Sequence, residues 1–335
     1  MHGPLTLVLQ SFKADYELRR ATLALLSYFA HSTVDIERTS IVLFTDRPDF
    51  FQKYLEGLPI QFVELTEQKL QSMRGEIDFL HRIKIAAIEE AYEMAPGNIL
   101  YFDSDSFFIK DPAPLLEKVS ASRSYMHKHE YHFRELADLP LPSGAPFHAF
   151  LKLIEWTALR LASGRSMKVS PGMSSWNAGV MMLHSTHQEL LRDVYSITEH
   201  AYPLTENHAT EQYAFSIILE SNTELGVCES VNYHYWYRVK KQIIDLFLEE
   251  HLNEAWAQNP LDVKLRLVKQ WTQVLEQHLE EHVFTLRDNA IQAFNENKYG
   301  EAYGWTLKAL KKQPFGDLQF CRDVLYHVKR QLLKK

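Results

Sequence analysis

The sequence predicts a mixed α/β protein: a largely parallel sheet covered by helices, followed by a helical region. Three observations lead there. Short apolar runs alternate with helix-period segments through the first half. After Lys240 the chain turns polar, helical and almost free of glycine until Gly300. No apolar run approaches the ~20 residues of a membrane-spanning helix.

Leu5 to Leu9 reads as a strand. Residues 15–30 follow as a helix, with Leu18, Ala21, Leu25 and Phe29 on one face. Ile41-Val42-Leu43-Phe44 is a second strand, ended by Thr45-Asp46-Arg47-Pro48, and Ile60 to Val63 a third. Residues 79–94 carry Leu80, Ile83, Ala87 and Ala91 in helical register, and Pro96-Gly97 stops that helix. Asn98 to Phe102 is the next strand. Strands alternating with helices indicate a parallel sheet buried on both faces. The middle is less regular. Residues 121–150 hold several histidines and then Pro140, Pro142, Gly144 and Pro146, a long excursion of the kind that carries function. Ala178 to Leu183 is a buried strand. Ser185 is placed to cap the next helix with Gln188 in the capping-box position, Thr210 caps another, and Val231 to Trp236 is a late aromatic strand. Residues 283–314 form a helical hairpin whose Ala290, Ala302, Ala309 and Pro314 fit one tetratricopeptide-like unit, and a plain helical cap fits them as well. The expected division is 1–242 and 243–335, with no Gly/Ser/Pro-rich linker between them and the tail packed on the first part.

Bulk composition narrows the function. With 335 residues, 46% hydrophobic and 24% charged, the chain is globular rather than disordered. Its net charge of −7 disfavours nucleic-acid binding, which needs a basic surface. Cys228 and Cys321 form neither a disulfide framework nor a metal-spaced pair, consistent with a reducing compartment. The start Met1-His2-Gly3-Pro4 lacks a basic region followed by a long apolar stretch, so a soluble cytoplasmic protein is expected, with association at the inner face of a membrane left open.

The chemistry concentrates in Asn98-Ile-Leu-Tyr-Phe-Asp103-Ser104-Asp105-Ser-Phe-Phe-Ile-Lys-Asp111-Pro112. An apolar strand runs into two carboxylates one residue apart, which share a side in an extended chain. At the carboxyl end of a parallel strand they face the usual ligand crevice, where hard oxygens suit Mn²⁺ or Mg²⁺ with phosphate oxygens and water. A solvated turn would carry the same residues, but apolar neighbours on both sides argue against one. No EF-hand fits, since Phe107 occupies the next alternate position. Asp111 then caps a helix with Pro112 at its first position. Trp176-Asn177-Ala-Gly179 enters a buried strand, and Glu211-Gln212 opens a helix. His127, His129 and His132 invite a zinc reading, but their spacings do not share one face and no cysteine accompanies them.

The order Asp-x-Asp, Asn-Ala-Gly-Val, an acidic residue with Gln, then His-aromatic resembles the GT-A glycosyltransferases, and most closely glycosyltransferase family 8, the group of glycogenin and bacterial galactosyltransferases. It covers roughly residues 4–242. The resemblance implies a nucleotide-diphosphate sugar as donor and a divalent ion, usually Mn²⁺, held by Asp103, Asp105 and His234. It implies that Lys240 meets the diphosphate, that Asn177 and Glu211 contact donor-sugar hydroxyls, and that Gln212 lies near the anomeric carbon. Gln10, Ser11 and Tyr16 would cradle base and ribose, with Arg82 and Lys84 as the basic residues preceding the Asp103-Ser104-Asp105 motif. Two positions depart from the pattern: Glu211 stands for the usual Asp, and Tyr237 for a glycine three residues after the histidine. The implied reaction is sugar transfer with retention to a carbohydrate, lipid-linked or protein acceptor. A degenerate transferase fold acting as a nucleotide-sugar-binding scaffold, its C-terminal helices holding a protein partner, is the competing class. A nucleotidyltransferase would need a glycine-rich loop near the N-terminus, and residues 4–20 contain no glycine.

Overall fold

The computed structural model describes residues 4–95, 97–314 and 317–333. The strands, in chain order, are β1 Leu5–Gln10, β2 Thr39–Thr45, β3 Ile60–Glu64, β4 Asn98–Phe102, β5 Ser106–Phe108, β6 Arg123–Met126, β7 His129–His132, β8 Leu159–Arg160, β9 Ser166–Met167, β10 Ser174–Trp176, β11 Val180–Leu183, β12 Glu224–Val227 and β13 Asn232–His234. The helices are α1 Asp15–His31, α2 Pro48–Tyr54, α3 Glu67–Arg74, α4 Arg82–Met94, α5 Ala113–Leu116, α6 Ala145–Trp156, α7 Leu191–Thr205, α8 Thr210–Asn222, α9 Arg238–His251, α10 Glu254–Ala257, α11 Leu261–Glu281, α12 Val283–Asn295, α13 Tyr299–Lys312 and α14 Leu318–Leu333. By contact density they group into two compact units: Met1–His234 with Glu254–Lys269, and Tyr235–Asn253 with Gln270–Lys335. Among the described residues no helix is long and apolar enough to cross a membrane.

The first unit contains the expected mixed α/β sheet. Its seven strands run in the order β12-β6-β11-β4-β1-β2-β3. All neighbours are parallel except β11, which is antiparallel to both β4 and β6. β1, β2, β4 and β11 are Val/Ile/Leu/Met-rich and buried almost throughout, as a sheet with both faces covered requires. The chain leaves β1 toward β2 on one side and returns through β4 on the other. The carboxyl ends of β1 and β4 therefore flank a topological switch point, the usual ligand crevice.

Several local expectations need correction. The helix assigned to 79–94 begins at Arg82. Leu80 lies outside it and is exposed, while Phe79 is buried and stacks on Tyr202 at 3.9 Å. Pro96, the expected stop, lies outside the described residues; Gly97 adopts φ +146° where a Cβ would strike the Pro4 carbonyl. The turn after β11 is capped by His184 rather than Ser185, with His187 in place of Gln188. Asp111 accepts from the Ala113 N–H at 3.0 Å, so Pro112 precedes α5 instead of opening it. Thr210 is the first residue of α8, not its cap; the Asn207 side chain accepts from the Ala209 N–H at 2.9 Å. The late strand shortens to Asn232–His234. The irregular middle supplies β6, an internal strand of the sheet, and β7, which pairs with β10.

The second unit is helical. α12 and α13 form the expected hairpin, and Ala290, Ala302 and Ala309 are buried where small residues let helices approach. In α9 the inward residues are Ile243, Ile244 and Leu248, whereas Leu246 points outward.

Candidate active site

The two aspartates converge through a turn. β4 ends at Phe102, Ser104 and Asp105 form the turn, and β5 starts at Ser106. The Asp103 N–H donates to the Gly179 carbonyl at 2.7 Å, and Ser106 Oγ donates to the Asp103 carbonyl at 3.0 Å, so the backbone on both sides is held. β5 pairs antiparallel with β13 in the register Ser106↔His234. That pairing carries a histidine from 129 residues away to within 3.1 Å of Asp105 Oδ1 and 4.0 Å of Asp103 Oδ2. One ligand atom from each of Asp103, Asp105 and His234 lies within 4.8 Å of the others. This is the one such group of three among the described residues; His127, His129 and His132 do not form another.

The imidazole is oriented from behind. His234 Nδ1 lies 2.9 Å from Asn177 Oδ1, an oxygen that also accepts from the Gly179 N–H at 3.0 Å, while Asn177 Nδ2 donates to Glu130 Oε1 at 2.9 Å. An amide oxygen only accepts, so Nδ1 carries the proton and donates. In the neutral ring Nε2 then presents a lone pair to the carboxylates. Two acceptors 3.1 Å apart are favourable only when they share a cation, either a proton or a metal ion. A donor set of two carboxylates and one imidazole, held in this orientation, fits Mn²⁺ or Mg²⁺. Gly179 makes the arrangement possible, since a Cβ there would lie 2.1 Å from His234 Cε1.

Lys84, on the first turn of α4, lies beneath the aspartates. Its ammonium reaches Glu211 at 2.9 Å, Asp103 at 3.3 Å and the Ala178 carbonyl at 3.2 Å. Burial favours its neutral form, but the two carboxylates outweigh that and leave its pKa raised. Tyr101, whose pKa is raised by burial and then by Asp103, donates to Asp103 Oδ1 at 2.5 Å. Ser104 donates to Glu17 of α1 at 3.1 Å. His127 is held at about 3 by burial and then by His234, with its ring edge-on to His234 at 5.4 Å.

β7 brings in a carboxylate that the sequence reading passed over. Glu130 accepts from Asn177 Nδ2, from Gln212 Nε2 at 2.8 Å and from Ser175 Oγ at 3.4 Å. Gln212 Nε2 also donates to Ser175 Oγ, and Gln212 Oε1 accepts from the Ala178 N–H at 3.3 Å. Glu130 thus ties Asn177 to Gln212. No motif marks it; the histidines on either side drew attention instead, and its position follows only from the pairing of β7 with β10.

At the end of β1, Ser11 Oγ and Gln10 Oε1 are buried without a hydrogen-bond partner. Tyr16 is 48% exposed, with the Arg20 guanidinium 5.1 Å from its ring centre. Arg82 and Lys84 part company. The Arg82 guanidinium is engaged by Glu199 at 2.7 Å and by the Met73 carbonyl at 2.7 Å, and of the two cations it is Lys84 that meets Asp103. Lys240 belongs to the second unit, where it pairs with Glu280.

No family model and no curated protein matches the sequence. Among the solved structures with a similar fold are three glycosyltransferases. Mouse xyloside xylosyltransferase 1 in its apo form is 14% identical, with 68% of this chain and 85% of that chain covered at a TM-score of 0.42. The apo WbbM bifunctional glycosyltransferase is 10% identical, with 68% and 38% covered at 0.45. The galactosyltransferase LgtC in complex with donor and acceptor sugar analogs is 12% identical, with 70% and 88% covered at 0.46.

Proposed function

We propose that the chain is a glycosyltransferase of the GT-A class that moves a sugar from a nucleotide-diphosphate donor to an acceptor hydroxyl, with a divalent ion and with retention. The observation that carries the proposal is the convergence of Asp103, Asp105 and His234 from two remote segments at the switch point of the sheet. A bound divalent ion supplies positive charge to the diphosphate as it departs, typically worth several kcal/mol of barrier.

The residues around it suit that task. Asp103, Asp105 and His234 hold the ion, Mn²⁺ or Mg²⁺. Asn177 fixes the imidazole tautomer through Nδ1. Lys84 pairs with both Asp103 and Glu211 and offsets their negative charge. The unpartnered oxygens of Gln10 and Ser11 are placed to meet the polar edge of a base or a ribose hydroxyl. Asn177, Glu211 and Gln212 face the donor sugar, with Gln212 held by Glu130 and the Ala178 N–H.

A thermal-shift panel of nucleotide sugars with and without Mn²⁺ tests the proposal. A ligand present at a hundred times its Kd raises native stability by about 2.7 kcal/mol. The expected result is stabilisation by a nucleotide-diphosphate sugar only when the metal is present, and release of the nucleoside diphosphate on addition of acceptor. Binding without release would select the scaffold reading. Stabilisation or turnover undiminished by excess chelator would overturn the metal assignment.

A further inference from the structure

α14 has two unlike faces. On its inner side Phe320 packs with Leu286, Ala290 and Ala309, Val324 adds to that cluster, and His327 stacks on Phe294 at 5.3 Å. A surface helix normally turns polar residues to the opposite side. Here Leu318, Leu325, Tyr326, Leu332 and Leu333 are each between 63% and 76% exposed. At 3.6 residues per turn all five fall within an arc of about 120°. Arg322 and Lys329 share that arc. From Leu318 onward the sequence holds Arg322, Lys329, Arg330, Lys334 and Lys335 against one acid, Asp323, within a chain of net charge −7.

We propose that this face of α14 docks on an anionic lipid surface. A second copy is a poor occupant, because packing the stripe on itself in either direction sets Arg322 and Lys329 against like charges. An acidic protein helix would answer Arg322 and Lys329 but not Arg330, which lies outside the stripe. A continuous anionic surface answers all three. Leucine and tyrosine side chains enter the boundary between headgroups and acyl chains, and the long stems of Arg322 and Lys329 let their charges rise to the phosphates. The proposal is independent of the chemistry at Asp103 and Asp105.

Flotation of the full chain with vesicles tests it. The expected result is co-flotation with phosphatidylcholine vesicles containing phosphatidylglycerol, little with phosphatidylcholine alone, and loss at high salt. Each cation near such a surface contributes about fivefold, so Arg322→Gln with Lys329→Gln lowers partitioning about 25-fold. Leu325→Asp with Leu332→Asp abolishes it. These side chains are exposed, so circular dichroism and the melting temperature of the Gln variant stay at the wild-type level. Equal partitioning onto neutral and anionic vesicles, or unchanged partitioning of the Gln variant, overturns the proposal. So does absence of flotation. A concentration-dependent dimer broken by Leu325→Asp would then assign the face to a second copy.

Discussion

Gly179→Ala is a small change with a large expected consequence. The added Cβ would lie 2.1 Å from His234 Cε1 and 2.3 Å from Nδ1. Ordinary carbon contact begins at about 3.5 Å, so the imidazole must retreat by roughly 1.4 Å. Its hydrogen bond to Asn177 Oδ1 at 2.9 Å and its approach to Asp105 at 3.1 Å cannot survive that displacement. Overpacking costs about 1–3 kcal/mol and a buried polar group left unpaired about 1–3 more, so a loss of roughly 2–6 kcal/mol of stability is expected. Because His234 leaves the ligand cluster, Mn²⁺ affinity falls by at least about tenfold to a hundredfold. Calorimetric titration of Mn²⁺ and a thermal melt measure the two effects. Gly304→Ala serves as control, since its Cβ meets nothing within 4 Å in α13, and it should be neutral or stabilising by up to ~1 kcal/mol. Wild-type metal affinity and melting temperature in Gly179→Ala would refute the reasoning.

Four further outcomes are expected. Asp105→Asn should leave the fold intact and abolish metal-dependent transfer; full activity in that variant would remove the metal site. Lys84→Met leaves the buried Glu211 and the partly buried Asp103 carboxylates without their cation and should cost about 3–5 kcal/mol in a denaturant titration, with added Mn²⁺ stabilising this variant more than the wild type. Truncation after Ile244 deletes Glu254–Lys269 from the first unit, where Trp256 packs by Tyr54, Glu254 pairs with Lys53, and Lys264 donates to the Lys53 carbonyl. That truncated chain should be insoluble or strongly destabilised, and one melting like the full-length protein would contradict this. Burial lowers the pKa of His31, His187 and His208 below the free value of 6.5, so the unfolded chain binds more protons there. Stability is then retained above 6.5 and declines as pH falls below it; urea midpoints unchanged between about pH 7.5 and 5.5 would refute this.

What the sequence alone determined is local and periodic. The strand runs Leu5–Leu9, Ile41–Phe44 and Asn98–Phe102, the α1 face of Leu18, Ala21, Leu25 and Phe29, and the α12–α13 hairpin were legible because period and burial agree within one element. The aspartates were legible because they end an apolar strand. Tertiary structure decided everything that depends on pairing between distant segments. Only the β5–β13 ladder sets His234 against Asp105, only β7 beside β10 brings Glu130 to Asn177 and Gln212, and only the packing of α4 under β4 separates Lys84 from Arg82 two residues before it. Strand register and helix placement are set by the summed burial of many side chains, and no short stretch of sequence around Glu130 or Arg82 contains that sum.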